Sequence, residues 1–134
     1  MGEVEAKLEI STSEDVVRVR QAVRALAIRV GLSLVDQTKV VTAASELARN
    51  TLDYGGGGAV ILERVTNGAR PGVRLTFEDQ GPGISDIDLA LKDGYTTGGG
   101  LGLGLSGAKR LSSEFTLDSK VGEGTRVSIT RWKS

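Results

Sequence analysis

At 134 residues, with 39% apolar and 25% charged side chains, the chain has the size and make-up of one soluble domain with its own core. Its formal net charge is zero, so it builds no field that would draw in nucleic acid or an anionic membrane. It contains no cysteine and no histidine, which excludes disulfides, thiolate metal sites, histidine triads and a phosphohistidine relay within it.

Residues 4–10, VEAKLEI, alternate apolar and polar, the period of a strand. Ser11 and Ser13 offer helix caps, and Ser11 with Glu14 has capping-box spacing. Val16, Val19, Val23, Leu26 and Val30 then recur at helical spacing, and Gly31 stops the helix. Ser33 and Asp36 form a second capping box. The helix behind it runs to about Tyr54, with Val40, Ala43, Ala44, Leu47 and Thr51 inward, and the run Gly55–Gly58 ends it. Residues 59–65 read as a strand and 66–72, TNGARPG, as a turn. Residues 73–79, VRLTFED, form a strand with Val73, Leu75 and Phe77 inward. A short helix over 85–93 leads into a glycine-rich loop, and another helix runs from about Leu103 to Leu111. EFTLDSK and TRVSITRW close the chain as a hairpin around residues 121–124.

Strands and helices do not strictly alternate, which argues against a doubly wound parallel sheet. The expected fold is α+β: a two-layer α/β sandwich, a mixed, mostly antiparallel sheet with helices on one face, in a single domain over residues 1–134. The N-terminus is charged and alternating, unlike a signal peptide, and no apolar run approaches the ~18 residues of a membrane span. The expected location is cytoplasmic, with no membrane and no nucleic-acid partner.

Three constellations could carry chemistry. GLGLSG (residues 102–107) matches G-x-G-x-x-G, yet a loop precedes it where a dinucleotide fold needs a strand, and no Gly-Lys-Ser/Thr makes it a Walker loop. Glycines entering a helix still let several backbone N–H groups face one anion; the alternative is a solvated loop. Asp79-Gln80-Gly81-Pro82-Gly83-Ile84 places a carboxylate at a strand end, where it can accept from an exocyclic amine such as adenine's; the alternative is a turn stabilised by Pro82. Glu46, Asn50 and Asp53 line one face of the second helix, where they form either a solvated face or a base and an Mg²⁺ ligand set.

In this order the three constellations resemble the GHKL ATPase superfamily over residues 8–132. Glu46 and Asn50 match its N-box, DQGPGI its first glycine box and GGGLGLGL its second. Thr125, in VGEGTRVSI, matches the threonine that closes the adenine pocket. The resemblance implies the Bergerat fold binding ATP or ADP with Mg²⁺. Within the superfamily the chain resembles the anti-sigma regulatory serine/threonine kinases, and most of all the switch kinases of the stressosome. One departure from the sigma-binding members is NTLDYGGGG, with Asp53 and Tyr54 where they usually carry a histidine.

By that resemblance Glu46 is the catalytic base or water-orienter and Asn50 the metal ligand. The implied nucleotide-binding set is Asn50, Asp53, Asp79, Gly81, Gly83, Ile84, Thr96, Thr97, Gly98, Gly99, Gly100, Leu101, Gly102, Leu103, Gly104 and Thr125. The implied substrate is a STAS-domain antagonist protein phosphorylated on serine or threonine, and the second partner is the regulatory domain of a downstream phosphatase in a sigma-factor stress response. The alternatives are an anti-sigma kinase that sequesters a sigma factor directly and an ATP-dependent binding module with negligible transfer. The expected state is a monomer, with a weak dimer as the other option. The first helix, with Arg18, Arg24 and Arg29 outside its apolar stripe, is the candidate partner surface, or else a solvated basic face.

Overall fold

A computed structural model describes residues 2–91 and 103–134. The elements are β1 (Gly2–Ile10), α1 (Ser13–Val30), α2 (Leu34–Asp53), β2 (Gly58–Asn67), β3 (Arg70–Asp79), α3 (Ile87–Ala90), α4 (Leu103–Arg110), β4 (Glu114–Lys120) and β5 (Gly124–Trp132). The strands form one five-stranded sheet in the order β1-β2-β3-β5-β4. The sheet, expected to be mixed but mostly antiparallel, is antiparallel in every pairing among the described residues. No described helix is long and apolar enough to cross a membrane.

The local signals explain most of these elements, with three corrections. The cap of α1 is Thr12, one residue after Ser11. Its backbone is extended, its hydroxyl accepts from Asp15 N–H, and the Asp15 carboxylate answers the N–H groups of Thr12 (3.1 Å) and Ser11 (2.9 Å). The box is therefore Thr12/Asp15 and not Ser11/Glu14. At α2, Ser33 does cap Asp36 N–H at 3.1 Å, but the Asp36 carboxylate does not close a box, because Arg131 and Ser134 hold it. The segment 66–72 is mostly strand: β2 and β3 pair as far as Asn67↔Arg70, leaving Gly68 and Ala69 as a two-residue turn. Gly68 has φ +62°, the left-handed value needed at the first central position of a type II′ hairpin turn.

Both long helices lie on one face of the sheet, against each other and over the central strand β3. Val19, Val23 and Leu26 from α1 and Val40, Ala44 and Leu47 from α2 share a core with Leu62, Leu75, Phe77 and Ile129 from the sheet. Antiparallel register stacks that inner face in rows. Phe77 of β3 pairs with Val127 of β5, which pairs with Leu117 of β4; Leu75, Ile129 and Phe115 form the next row. Strand alternation carries these rows outward to polar residues at each end. One end holds Asp79, Thr125 and Ser119, and at the other Val73 pairs with Arg131.

Because Arg131 shares the parity of Val127 and Ile129, it points towards the helices. There it meets Asp36, which is buried (2% exposed) in the first turn of α2. Arg131 Nη2 and Nε donate to Asp36 Oδ1 at 2.8 and 3.2 Å, Ser134 Oγ donates to Oδ2 at 2.6 Å, and Arg131 Nη1 reaches the Leu111 carbonyl after α4. This pair ties α2, α4 and the C-terminal residues to β5. Burial pushes the Asp36 carboxyl up, but Ser134 and Arg131 together outweigh it and hold the pKa at about 2, below its ordinary 3.8.

A depressed folded-state pKa contributes stability that is present above the unfolded value and lost as pH falls through the folded one. Urea unfolding is expected to show on the order of 2 kcal/mol of stability lost between pH 4 and pH 2 through Asp36. Asp36→Ala should cost about 3 kcal/mol at pH 7 by leaving Arg131 half-buried and unpaired, and should lack that share of the acid loss. An unchanged midpoint for Asp36→Ala at pH 7 would show that the pair contributes nothing net.

Candidate nucleotide site

The alternation that points Val73, Leu75 and Phe77 at the helices does the same for Asp79. It leaves the strand beneath the C-terminal end of α2. That helix presents Leu47, Asn50, Thr51 and Tyr54 to the same place, a spacing of three and four residues that defines one helix face. Together with Phe77, Asp79, Ile84, Leu105, Thr125 and Val127 these residues line a narrow crevice of about 20 Å³, room for about one water. An adenine ring enters only if the crevice widens.

Asp79 is held by its neighbours' main chain. Gly81 N–H donates to Oδ1 at 2.9 Å, and the nearby Thr125 backbone N–H also favours the charged carboxylate. Burial dominates over both and raises the carboxyl's pKa above its ordinary value. The chain reaches this density by omitting side chains. A Cβ on Gly55, just after α2, would lie 2.5 Å from Asp79 Oδ2, and one on Gly81 would lie 2.7 Å from Gly55 Cα. Gly83 has φ +76°, and a Cβ there would strike the Lys120 carbonyl. At these glycines the space a side chain would fill is taken by the chain itself.

Among the described residues, Asn50 brings to the crevice a buried polar atom, its Nδ2, that has no hydrogen-bond partner. Thr51 Oγ1, beside it, is already spent on the Leu47 carbonyl at 2.9 Å. An amide exchanges its oxygen and nitrogen by a half-turn, so the buried position serves equally as a carbonyl ligand for a cation. Among the described residues no three acidic side chains converge into a metal site. A hard cation here would therefore take Asn50 and draw its remaining oxygens from phosphate and water, the coordination Mg²⁺ favours.

The fold thus brings Asn50, Asp79, Ile84 and Thr125 together. Glu46, one turn before Asn50, is exposed and outside the crevice lining. Asp53 is also exposed and outside the lining, 3.6 Å from Arg49 Nη1. Gly81 and Gly83 shape the turn below the crevice without lining it. Leu103 and Gly104 open α4. Thr96, Thr97, Gly98, Gly99, Gly100, Leu101 and Gly102 lie outside the described residues. On the candidate partner surface, Arg18 is engaged with Glu14 and Asp15, and Arg29 with Glu5 at 3.5 Å. Arg24 instead lines a shallow groove with Val17, Arg20, Gln21 and Val41.

Two residues of the site were missed in the sequence. Tyr54, four residues after Asn50 on the same helix face, donates its hydroxyl to the Gly83 carbonyl at 3.0 Å and ties α2 to the glycine turn. Ser119 is the third inward position of EFTLDSK after Phe115 and Leu117. It receives Ile84 N–H at 2.8 Å and lies 2.8 Å from Thr125 Oγ1. A polar residue at an inward strand position was the signal available for Ser119; helical periodicity was the signal for Tyr54.

Residues 35–133 match the family of histidine kinase-, DNA gyrase B-, and HSP90-like ATPases. The chain is 46% identical over 125 residues to the serine/threonine-protein kinase RsbT of Bacillus subtilis (strain 168), covering 93% of this chain and 94% of that one. It is 29% identical over 129 residues to the anti-sigma F factor of Anoxybacillus flavithermus, covering 91% and 86%. Among solved structures it resembles the RsbU and RsbW domains of a Mycobacterium tuberculosis protein, with a TM-score of 0.61 at 22% identity over 94% of this chain. It spans 32% of that longer chain, and the likeness is one of fold.

A carboxyl whose folded-state pKa is raised costs stability as pH rises through that pKa, because the folded state then carries the buried charge. Asp79→Asn removes the charge and keeps an oxygen for Gly81 N–H. In nucleotide-free protein the wild type is expected to lose stability relative to Asp79→Asn as pH rises from 4 to 7, read by urea unfolding of both. A constant difference between the two across that range would show that Asp79 is not desolvated.

Proposed function

We propose, from the premise that this chain belongs to the histidine kinase-, DNA gyrase B-, and HSP90-like ATPase family and is a protein serine/threonine kinase of the RsbT type, that it phosphorylates a STAS-domain antagonist and then exchanges partners. Release from the phosphorylated antagonist frees it to bind and activate a phosphatase in a sigma-factor stress response. The observation that carries the nucleotide part of this reading is the meeting of Asn50, Asp79, Ile84 and Thr125, from three separate motifs, around one crevice in which the Asn50 amide lacks a partner.

Each residue then has a task. Asp79, as a carboxylate, accepts from the exocyclic amine of adenine, with Thr125 beside it in register. Asn50 would hold Mg²⁺ through its carbonyl oxygen. The bound nucleotide and metal supply the phosphoryl group and neutralise its charge, so the protein's share is mostly positioning. Glu46 is exposed, as a base facing a protein substrate must be. It takes the proton of the incoming hydroxyl as that oxygen bonds to phosphorus and the bridging bond to ADP breaks. The new phosphate adds about two negative charges close to Glu46 and the phosphates of ADP, which weakens the product complex and drives the exchange.

The test mixes purified protein and ATP-Mg²⁺ with STAS-domain proteins from the same genome and follows phosphoserine, phosphothreonine and complex lifetime together. Transfer followed by dissociation is expected. Glu46→Ala should slow transfer on the order of 10²–10⁴-fold at little cost in nucleotide affinity, and Asn50→Ala should weaken both. Tight binding to a sigma factor without STAS transfer would move the protein to the anti-sigma reading. Stable ATP-dependent binding with no transfer at all would make it a binding module.

A further inference from the structure

The Ser119 hydroxyl touches three polar atoms and has one proton to share among them. Ile84 N–H is 2.8 Å from Ser119 Oγ, the Gly124 carbonyl 3.1 Å and Thr125 Oγ1 2.8 Å. Ile84 N–H can only donate, so it takes one Ser119 lone pair. The Gly124 carbonyl can only accept, so it takes the Ser119 proton. All three contacts are hydrogen bonds together in a single arrangement, in which Thr125 spends its own proton on the remaining lone pair of Ser119. Thr125 then faces the crevice as an acceptor alone.

We propose that Ser119 sets the base preference of the crevice by fixing the polarity of the Thr125 hydroxyl. The inference rests on the nucleotide reading of that crevice. Asp79 by itself discriminates incompletely: a base with a carbonyl at position six also carries an adjacent ring N–H that a carboxylate can accept. A free threonine hydroxyl would donate to that carbonyl and welcome the wrong base. With its proton held by Ser119 it opposes the carbonyl with lone pairs and pairs only with an amine. Asp79 and Thr125 are direct register partners in β3 and β5, so one base edge meets both. Ser119 touches the reader and not the base, which makes it a positioning residue.

Calorimetric titration with ADP and with inosine diphosphate, which differ at position six, tests this in wild type and three variants. Wild type is expected to prefer ADP. Ser119→Ala frees the Thr125 proton and should narrow the ADP-over-inosine preference by about tenfold, the scale of one hydrogen bond turned from repulsive to paired. Ser119→Thr keeps the β-hydroxyl and should restore the preference. Ser119→Cys fills the same space with a group that donates and accepts weakly, so it should also narrow the preference, and it carries the test if the alanine variant does not fold. If Ser119→Ala or Ser119→Cys lowers affinity for both nucleotides equally and leaves their ratio intact, Ser119 only supports the Ile84 turn and the proposal is wrong while the nucleotide site stands. If wild type binds the two equally, the adenine reading of Asp79 and Thr125 falls, and the proposal with it.

Discussion

The register of β3 against β5 and of β5 against β4 is the constraint from which the site follows. It sets Asp79, Thr125 and Ser119 in one row across the sheet, directly beyond the apolar row Phe77, Val127 and Leu117. A slip of one residue in either pairing would turn the polar row to the opposite face and bring its outward neighbours under the helices. Core packing and site geometry are therefore one specification: the apolar rows cannot be buried without the polar row arriving at the end of α2. The same alternation delivers Arg131 to Asp36 at the far end of β5, where the pair anchors the start of α2 whose last turns carry Asn50 and Tyr54.

The polar row is purchased against stability, and the means are visible. Asp79 is driven partly out of water, which disfavours its charged form. Main chain from three segments closes on it because Gly55, Gly81 and Gly124 lack side chains. Each such glycine also carries an entropic cost in the unfolded chain of roughly 0.5–1 kcal/mol relative to alanine. The unpartnered Asn50 amide adds to that cost, and a bound cation and phosphate would relieve it.

Local periodicity made the architecture legible. The inward positions of α1, α2 and β3 read from spacing, such as Val19, Leu47 and Phe77, are all buried, and Gly31 ends α1 as a left-handed cap. Asn50, Asp79, Ile84 and Thr125 were legible because each sits in a short motif, and their order along the chain is specific. What stayed hidden lies in long-range pairing. Nothing local announces that Asp36 will leave its own cap for Arg131, 95 residues away, or that Tyr54 will cross 29 residues to Gly83. The α1 cap shifted by one residue because Thr12 and Asp15 offer the same chemistry as Ser11 and Glu14, and only backbone geometry separates them. The reason for the glycines near Asp79 was also hidden, since composition cannot tell room for a ligand from room for another strand of main chain.

The central claim is that the Asn50–Asp79–Thr125 crevice is where an adenine nucleotide and its metal bind. Two-dimensional amide NMR of isotope-labelled protein titrated with ADP and Mg²⁺ tests it most directly, with the Asn50 side-chain signal assigned by its loss in Asn50→Asp. The account predicts that the Asn50 side-chain amide and the backbone amides of Gly81, Ile84 and Thr125 shift together and saturate at one affinity. Saturable shifts confined to the opposite face of the sheet, at Arg74, Ser128 and Thr130, with the crevice signals unmoved, would contradict it.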